Sequence, residues 1–436
     1  MEDCTLFWFR RDLRLTDNVG LHEALQSGKP VLALFIFDQE ILDELPSQDR
    51  RVNFIHQEIK RLSEELKKYG SSLLVFHGQP MEILKEVCRT HPVKAVYTNH
   101  DYEPYARDRD GAIRELLNKE GIVFRTFRDQ VIFEKEEILT GAGKPYTVFT
   151  PYSKKWKAQL TQARIKEHPI AQHADRFAKL PPQSIPSLAE MGFEPSEGSF
   201  PGRIPDTEII DSYHQTRDFP AKRGTSRLGL HLRFGTISIR QLVLEAIAHN
   251  ETYLNELIWR EFYMQILWNF PHVVHAPFRP EYAEIPWLNK KEDFEKWKAG
   301  KTGYPMVDAG MRELNATGYM HNRVRMVVAS FLCKHLLINW QWGEAYFAEK
   351  LLDFELSSNN GGWQWAAGCG TDAAPYFRIF NPESQLKKFD PRLEYVRQWV
   401  PEYGTPLYPR PMVEHKMARE RCLRVYKEAL ALAKQK

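Results

Sequence analysis

Five short apolar runs punctuate the first third of the chain: CTLFWF (4–9), VLALFIF (31–37), SLLVF (72–76), VKAVYT (93–98) and IVFRTF (122–127). All are rich in β-branched and aromatic residues. Between them, stretches such as RRVNFIHQEIKRLSEELKKYG (50–70) and YARDRDGAIRELLNKEG (105–121) carry apolar residues three or four apart. Strands alternating with amphipathic helices predict a parallel sheet covered on both faces, an α/β domain over residues 1–130. No GxGxxG follows the first strand, so the usual dinucleotide-binding fingerprint is missing.

That rhythm stops over residues 131–204. LPPQSIPSLAEMGFEPSEGSFPGRIPD is dense in Pro, Gly and Ser and reads as a long surface connection between domains, with one helix near 151–165. From 205 to 436 the period is helical, in ISIRQLVLEAIAHN, YLNELIWREFYMQILWNF and HNRVRMVVASFLCKHLLINWQWGEAYFAEKLLD. This region is predicted to be an all-helical domain. The basic C-terminal stretch VEHKMARERCLRVYKEALALAKQK reads as a solvated capping helix.

Composition narrows the classes. A hydrophobic share of 43% over 436 residues suits two or three domains with sizeable cores and excludes a disordered chain. With 60 Lys and Arg against 57 Asp and Glu, the net charge is only +3, so any pull on nucleic acid must come from a local basic face. The five cysteines (Cys4, Cys88, Cys333, Cys369, Cys422) are dispersed, which fits neither a disulfide framework nor a metal site and suits a reducing compartment. No run approaches the roughly 18 apolar residues of a membrane span, and the acidic start is unlike a signal peptide. The expectation is a cytoplasmic, monomeric protein.

Candidate chemistry gathers in the helical half. GTSRLGLHLRFGTIS (224–238) sets hydroxyls and Arg227 among glycines, a composition suited to phosphate as well as to ordinary helix caps. In NELIWREFYMQILWNFP (255–271), Glu256, Trp259, Arg260 and Tyr263 fall on one helical face. MHNRVRM (320–326) puts Asn322, Arg323 and Met326 on one side and Arg325 on another. LLDFELSSNNGGWQWAAG then crowds Asp353, Glu355 and Asn359, the last in a turn signal, against Trp363 and Trp365. If that stretch were helical, two tryptophans two residues apart would face different ways.

Taken with WFRRDLRLTDN (8–18), GTSRLG (224–229), WREF (259–262) and KTGYPMVDAGMRELNATGYMHNR (301–323), the segment NNGGWQWAAGCGTDAAPYFRIFNP (359–382) resembles the DNA photolyase/cryptochrome family. The likeness spans nearly the whole chain, is strongest over 205–415, and looks closest to class I bacterial enzymes that repair cyclobutane pyrimidine dimers. It implies FAD, bent into a U, inside the helical domain. Tyr213 and Thr225, Ser226, Arg227 and Leu228 would hold its pyrophosphate side. Arg260, Asn322 and Arg325 would lie near it, Asp353 and Glu355 would face its ribose, adenine or flavin edge, and Asn359 would sit near flavin N5. Where the family has Asp-Gly-Asp, this chain has Asp353-Phe354-Glu355, with a longer acid and no permissive glycine.

The resemblance also implies light-driven chemistry without a nucleophile. Excited reduced FAD lends an electron to a flipped-out dimer, the inter-base bonds break and the electron returns. Contacts to the lesion would come from Glu256, Trp259, Asn322, Arg323, Met326 and Trp365, with Glu256 steadying the added charge. Trp363, Trp340 and Trp287 would relay electrons to the flavin, with Trp297 a competitor for the third place. A second, antenna chromophore, a folate/pterin or a deazaflavin, would use Tyr102 and Glu103 in the α/β domain. Arg323, Arg378, Lys387, Lys388 and Arg392 are the cations expected around the DNA-facing mouth, and no metal is expected.

Three alternatives are weaker. A (6-4) photoproduct enzyme would need histidines where this chain has Asn322 and Met326. A cryptochrome-like blue-light receptor would carry an altered lesion pocket or a long C-terminal extension, and plant-type receptors commonly have aspartate at the Asn359 position. A generic FAD oxidoreductase would need a nicotinamide or substrate motif, and none is present.

Overall fold

In the first of two compact units, five parallel strands are laid side by side. They are β1 (Cys4–Phe9), β2 (Val31–Asp38), β3 (Leu73–Gly78), β4 (Val93–Asn99) and β5 (Val123–Phe127), in the order β3-β2-β1-β4-β5. Every residue of β1 and β2 is buried, as covering on both faces requires. Thr5 of β1 pairs with Val31 on one side and Ala95 on the other. The crossovers are α1 (Val19–Gln26), α2 (Arg50–Lys67), α3 (Pro80–Thr90) and α4 (Pro104–Lys119). Asn18 and Asp49 accept backbone N–H groups at the starts of α1 and α2. Proline opens α3 and α4, where a missing N–H loses no helical bond. The structure, a computed structural model, describes residues 2–435.

This unit contains Gln159–Pro205 and Arg227–Ala248 as well as the residues up to Glu134. The last segment, expected in the helical domain, is tied here by a buried ionic knot. Arg240 Nε donates to both Asp17 oxygens at 3.0 Å and its Nη2 donates to Asp129 at 2.9 Å. Arg14 Nη2 reaches both Asp129 oxygens at 2.8 Å. Burial alone would raise both acids. Hydrogen bonds from His168 and Ser238 and the Arg240 and Arg14 charges hold Asp17 below the ordinary carboxylate range, and the two arginines do the same for Asp129.

The second unit comprises Lys135–Ala158, Asp206–Ser226 and the chain from His249 onward. It is helical, and five of its helices matter below: α5 (Phe149–Gln159), α6 (Glu251–Asn269), α7 (Asn322–Ser330), α8 (Trp340–Lys350) and α9 (Leu356–Ala367). Residues 131–204 are therefore not one free connection. Lys135–Ala158 is anchored on α6, where Trp156 Nε1 donates to Glu261 at 2.6 Å and Gln265 Nε2 donates to the Tyr146 carbonyl at 2.9 Å. The C-terminal helix His415–Ala433 is more than a solvated cap, because Cys422 and Tyr426 are fully buried. All five cysteines are free. Among the described residues no helix is long and apolar enough to cross a membrane, and no cluster of potential ligands could hold a metal ion.

Asp129→Ala strands two buried guanidiniums without their shared acceptor. It is expected to lower the unfolding free energy by about 3–5 kcal/mol in urea titrations. Asp17 and Asp129 titrate lower in the folded than in the unfolded chain. The stability they contribute is therefore complete above about pH 4 and is lost as pH falls further. Urea midpoints of the parent protein and of Asp129→Ala should converge on acidification.

Candidate functional site

A cavity of about 400 Å³ opens in the second unit, walled by α6, α7, α8, α9 and the turn before α9. That volume suits a sizeable organic ligand. One part of the wall is ionic. Arg325 Nη2 donates to both oxygens of Asp353, at 3.1 and 2.9 Å, and Arg260 Nη2 donates to Glu355 Oε1 at 3.1 Å. The longer acid at 355 spans two partners, since Ser358 Oγ donates to its other oxygen at 3.0 Å. Phe354 lines the cavity where the family pattern has glycine.

Asn359 also lines the cavity, from within α9; the expected turn is absent and NNGG is helical. Gly361 permits close packing at this point. A Cβ there would fall 2.2 Å from Tyr263 Cδ1, so bare backbone lets α9 close on α6. The Asn359 amide nitrogen donates to the backbone carbonyl and to Oε1 of Glu344, both at 3.0 Å. With its N–H groups taken up there, its carbonyl oxygen is the group left for the cavity. Burial raises the pKa of Glu344, against the opposing Asn359 bond.

A second set is more apolar. Trp259, Met326 and Trp365 line the cavity with Glu256 and Asn322. On α7 the cavity face is Asn322, Arg325 and Met326, an i, i+3, i+4 stripe, which corrects the expected placing of Arg325 elsewhere. Arg323 instead turns to Asp218 at 2.7 Å and stands over Phe389 at 4.4 Å. Lys388 lies over the same ring at 5.1 Å, and Arg378, Lys387, Lys388 and Arg392 are exposed. Burial raises the pKa of Glu256, opposed by Arg217 Nη1, which donates to it at 2.6 Å.

Arg217 lines the cavity and was not anticipated, because it lies upstream of GTSRLG in a stretch without helical periodicity. Glu344 was also missed. It acts through Asn359, 15 residues away, and no local spacing signals that bond.

Trp363 and Trp365 both reach the cavity, with Trp363 the more buried. Trp363 fits because α8 has glycine at 343, where a Cβ would fall 2.1 Å from the indole. Trp363 and Trp340 are buried in one apolar cluster, and Trp287 packs partly buried against it. Trp287 meets Tyr426 edge-on at 6.0 Å. The tryptophan in ring contact with Trp363 is Trp297, at 6.1 Å and 69°.

The remaining expected residues lie off the cavity wall. Tyr213 stands edge-on to Tyr253 at 5.1 Å. Thr225 Oγ1 is 3.0 Å from the Tyr319 hydroxyl, and the Tyr253 hydroxyl donates to Ser226 at 3.0 Å. Arg227 and Leu228 belong to the first unit, Arg227 with a left-handed φ of 54°. In that unit the Tyr102 hydroxyl donates to Glu134 at 2.7 Å, while Glu103 accepts from Arg11 at 3.1 Å and Arg233 at 2.5 Å.

Residues 5–173 match the family described as "DNA photolyase", and residues 253–406 match the "FAD binding domain of DNA photolyase". A deoxyribodipyrimidine photo-lyase of Synechococcus is 37% identical, over 98% of this chain and 97% of the relative. The chain belongs to the DNA photolyase/cryptochrome family. Its class I placement, however, is overturned. A class III photolyase from Agrobacterium tumefaciens superposes with a TM-score of 0.88, at 32% identity and over 98% of both chains. An archaeal photolyase from Sulfolobus tokodaii, described with two FAD molecules, gives 0.85 at 34% identity, over 97% of this chain and 99% of that one.

FAD, the family's cofactor, suits the chemistry of this cavity. Guanidiniums and amides can meet its polar edges, carboxylates its N–H and ribose groups, and Phe354 and Trp363 its rings. The close approach of α9 should control that capacity. Gly361→Ala drives a methyl into Tyr263 and is expected to cut the FAD-to-protein ratio of purified protein by at least about half, at a cost of about 1–3 kcal/mol in stability. Absorbance at 450 nm against 280 nm checks it.

Proposed function

We propose that this protein repairs cyclobutane pyrimidine dimers in DNA with light as its energy source. One observation carries the reading: a single cavity holds both the ionic and amide set suited to FAD and the apolar, tryptophan-lined set suited to a flat lesion. Bound in its reduced form, FAD supplies the photoexcited electron that opens the cyclobutane ring.

The residues divide the remaining work. Asn359 would offer its carbonyl oxygen to a flavin N–H and has no acidic proton to give there. The Arg325–Asp353 and Arg260–Glu355 pairs fix two guanidiniums without leaving an unpaired charge in the cavity. Trp259 and Trp365 receive the fused bases, whose damaged stacking lowers the cost of flipping them out. Glu256, tethered by Arg217, bonds the pyrimidine edge. Arg323, Arg378, Lys387, Lys388 and Arg392 attract the DNA backbone, so affinity should fall as salt rises. Trp363, Trp340 and Trp287 would relay electrons to oxidised flavin. A second chromophore in the α/β unit gathers light.

Reduced protein with a defined thymine dimer should remove it under blue or near-ultraviolet light and leave it intact in darkness. Equal loss in both conditions, or none in either, would reject the proposal. A light-dependent change of the flavin without dimer loss would favour a receptor. Trp259→Ala should weaken lesion binding by about 1–3 kcal/mol, the usual worth of an aromatic–base contact, as read by dark titration with a dimer-bearing oligonucleotide. Trp363→Phe should slow photoreduction of oxidised flavin at least about tenfold by transient absorption, while prereduced enzyme repairs at nearly the parent rate.

A further inference from the structure

Behind Trp259 stands a ring that no motif marks. Phe149, the first residue of α5, lies parallel to the Trp259 indole at 3.8 Å between centroids and 6° between planes. Phe262 meets the same indole edge-on at 5.5 Å and 83°, and Tyr263 flanks it at 5.5 Å. The cavity wall includes Trp259 and Tyr263 but not Phe149. One face of the indole is thus covered by a parallel ring, and the same indole borders the cavity.

The backbone at Phe149 is itself held. Its N–H donates to Asp372 Oδ2 at 3.1 Å, and Thr371 Oγ1 donates to the Thr147 carbonyl at 2.6 Å. Asp372 adopts a left-handed φ of 46°, uncommon for a residue with a side chain. Gln265 fixes the preceding turn through the Tyr146 carbonyl. A segment that reads as interdomain connection is therefore clamped from α6 and from the loop after α9, with a phenyl ring presented flat against the lesion-facing tryptophan.

We propose that Phe149 is a positioning residue for dimer recognition: it holds the Trp259 indole in the plane that receives the fused pyrimidines. This rests on the lesion-binding role proposed for Trp259. A free indole would rotate about its side-chain bonds and lose that freedom on binding; the stack removes this cost beforehand. Planarity, rather than bulk, is the property required.

The test uses full-length, FAD-loaded, reduced protein and a dimer-bearing oligonucleotide titrated in darkness. Phe149→Ala and Phe149→Leu should each weaken binding by about tenfold, near the upper worth of a stacked pair. Phe149→Tyr should stay within about twofold of the parent. Splitting of dimer already bound, read after a saturating flash, should change less than about twofold, because the electron donor is untouched. In a Trp259→Ala background, Phe149→Ala should add almost nothing.

An additive double variant would overturn the proposal, since Phe149 would then act independently of Trp259. So would Phe149→Leu binding as well as Phe149→Tyr, or Phe149→Ala binding normally while Trp259→Ala does not. Normal binding by Trp259→Ala would bring down the underlying placement of Trp259, and this inference with it.

Discussion

The cavity depends on how closely α9 can approach its neighbours. Gly361 lets it press against Tyr263 of α6, and Gly343 of α8 leaves space for Trp363. A side chain at either position would overlap a ring in an interior already packed to near-crystalline density. Because α9 sits this close, Asn359, Trp363 and Trp365 all line one cavity. The bonds from Asn359 to Glu344 on α8 then fix which end of the amide is offered to it. Steric permission comes first and hydrogen bonding selects the orientation afterwards.

Charge is handled in the same space by pairing. Arg325 is matched by Asp353, Arg260 by Glu355 and Arg217 by Glu256. Pairing matters because a buried ion is costly to leave alone. The change from the family's Asp-Gly-Asp to Asp353-Phe354-Glu355 is accommodated in this way. The extra methylene carries the carboxylate to Arg260 and Ser358, and the phenyl ring joins the wall.

Aromatic residues serve two purposes that differ in exposure. Trp363, with Phe347 at 4.9 Å and Trp297 at 6.1 Å, is part of a continuous apolar cluster. Trp259 and Trp365 are only half-buried, at the margin between packed interior and open cavity. Phe149 stacks flat on one of them, Trp259, which also lines the cavity. Stacking on a flat partner thus begins inside the protein.

The amino-acid pattern by itself determined the elements wherever local periodicity and burial agree. β1 and β2 are apolar throughout because both faces of a central parallel strand are covered. The motifs around Trp259, Asn322 and Asn359 were likewise legible, as residue types that converge on one cavity. What stayed hidden depended on partners distant in sequence. NNGG reads as a turn until Tyr263 requires bare backbone in a helix. Residues 135–158 read as connection until Trp156 finds Glu261. Arg323 reads as a cavity residue until Asp218 and Phe389 claim it. Periodicity reports which side of an element is apolar, whereas the choice among polar neighbours is made by distances that exist only once the chain is folded.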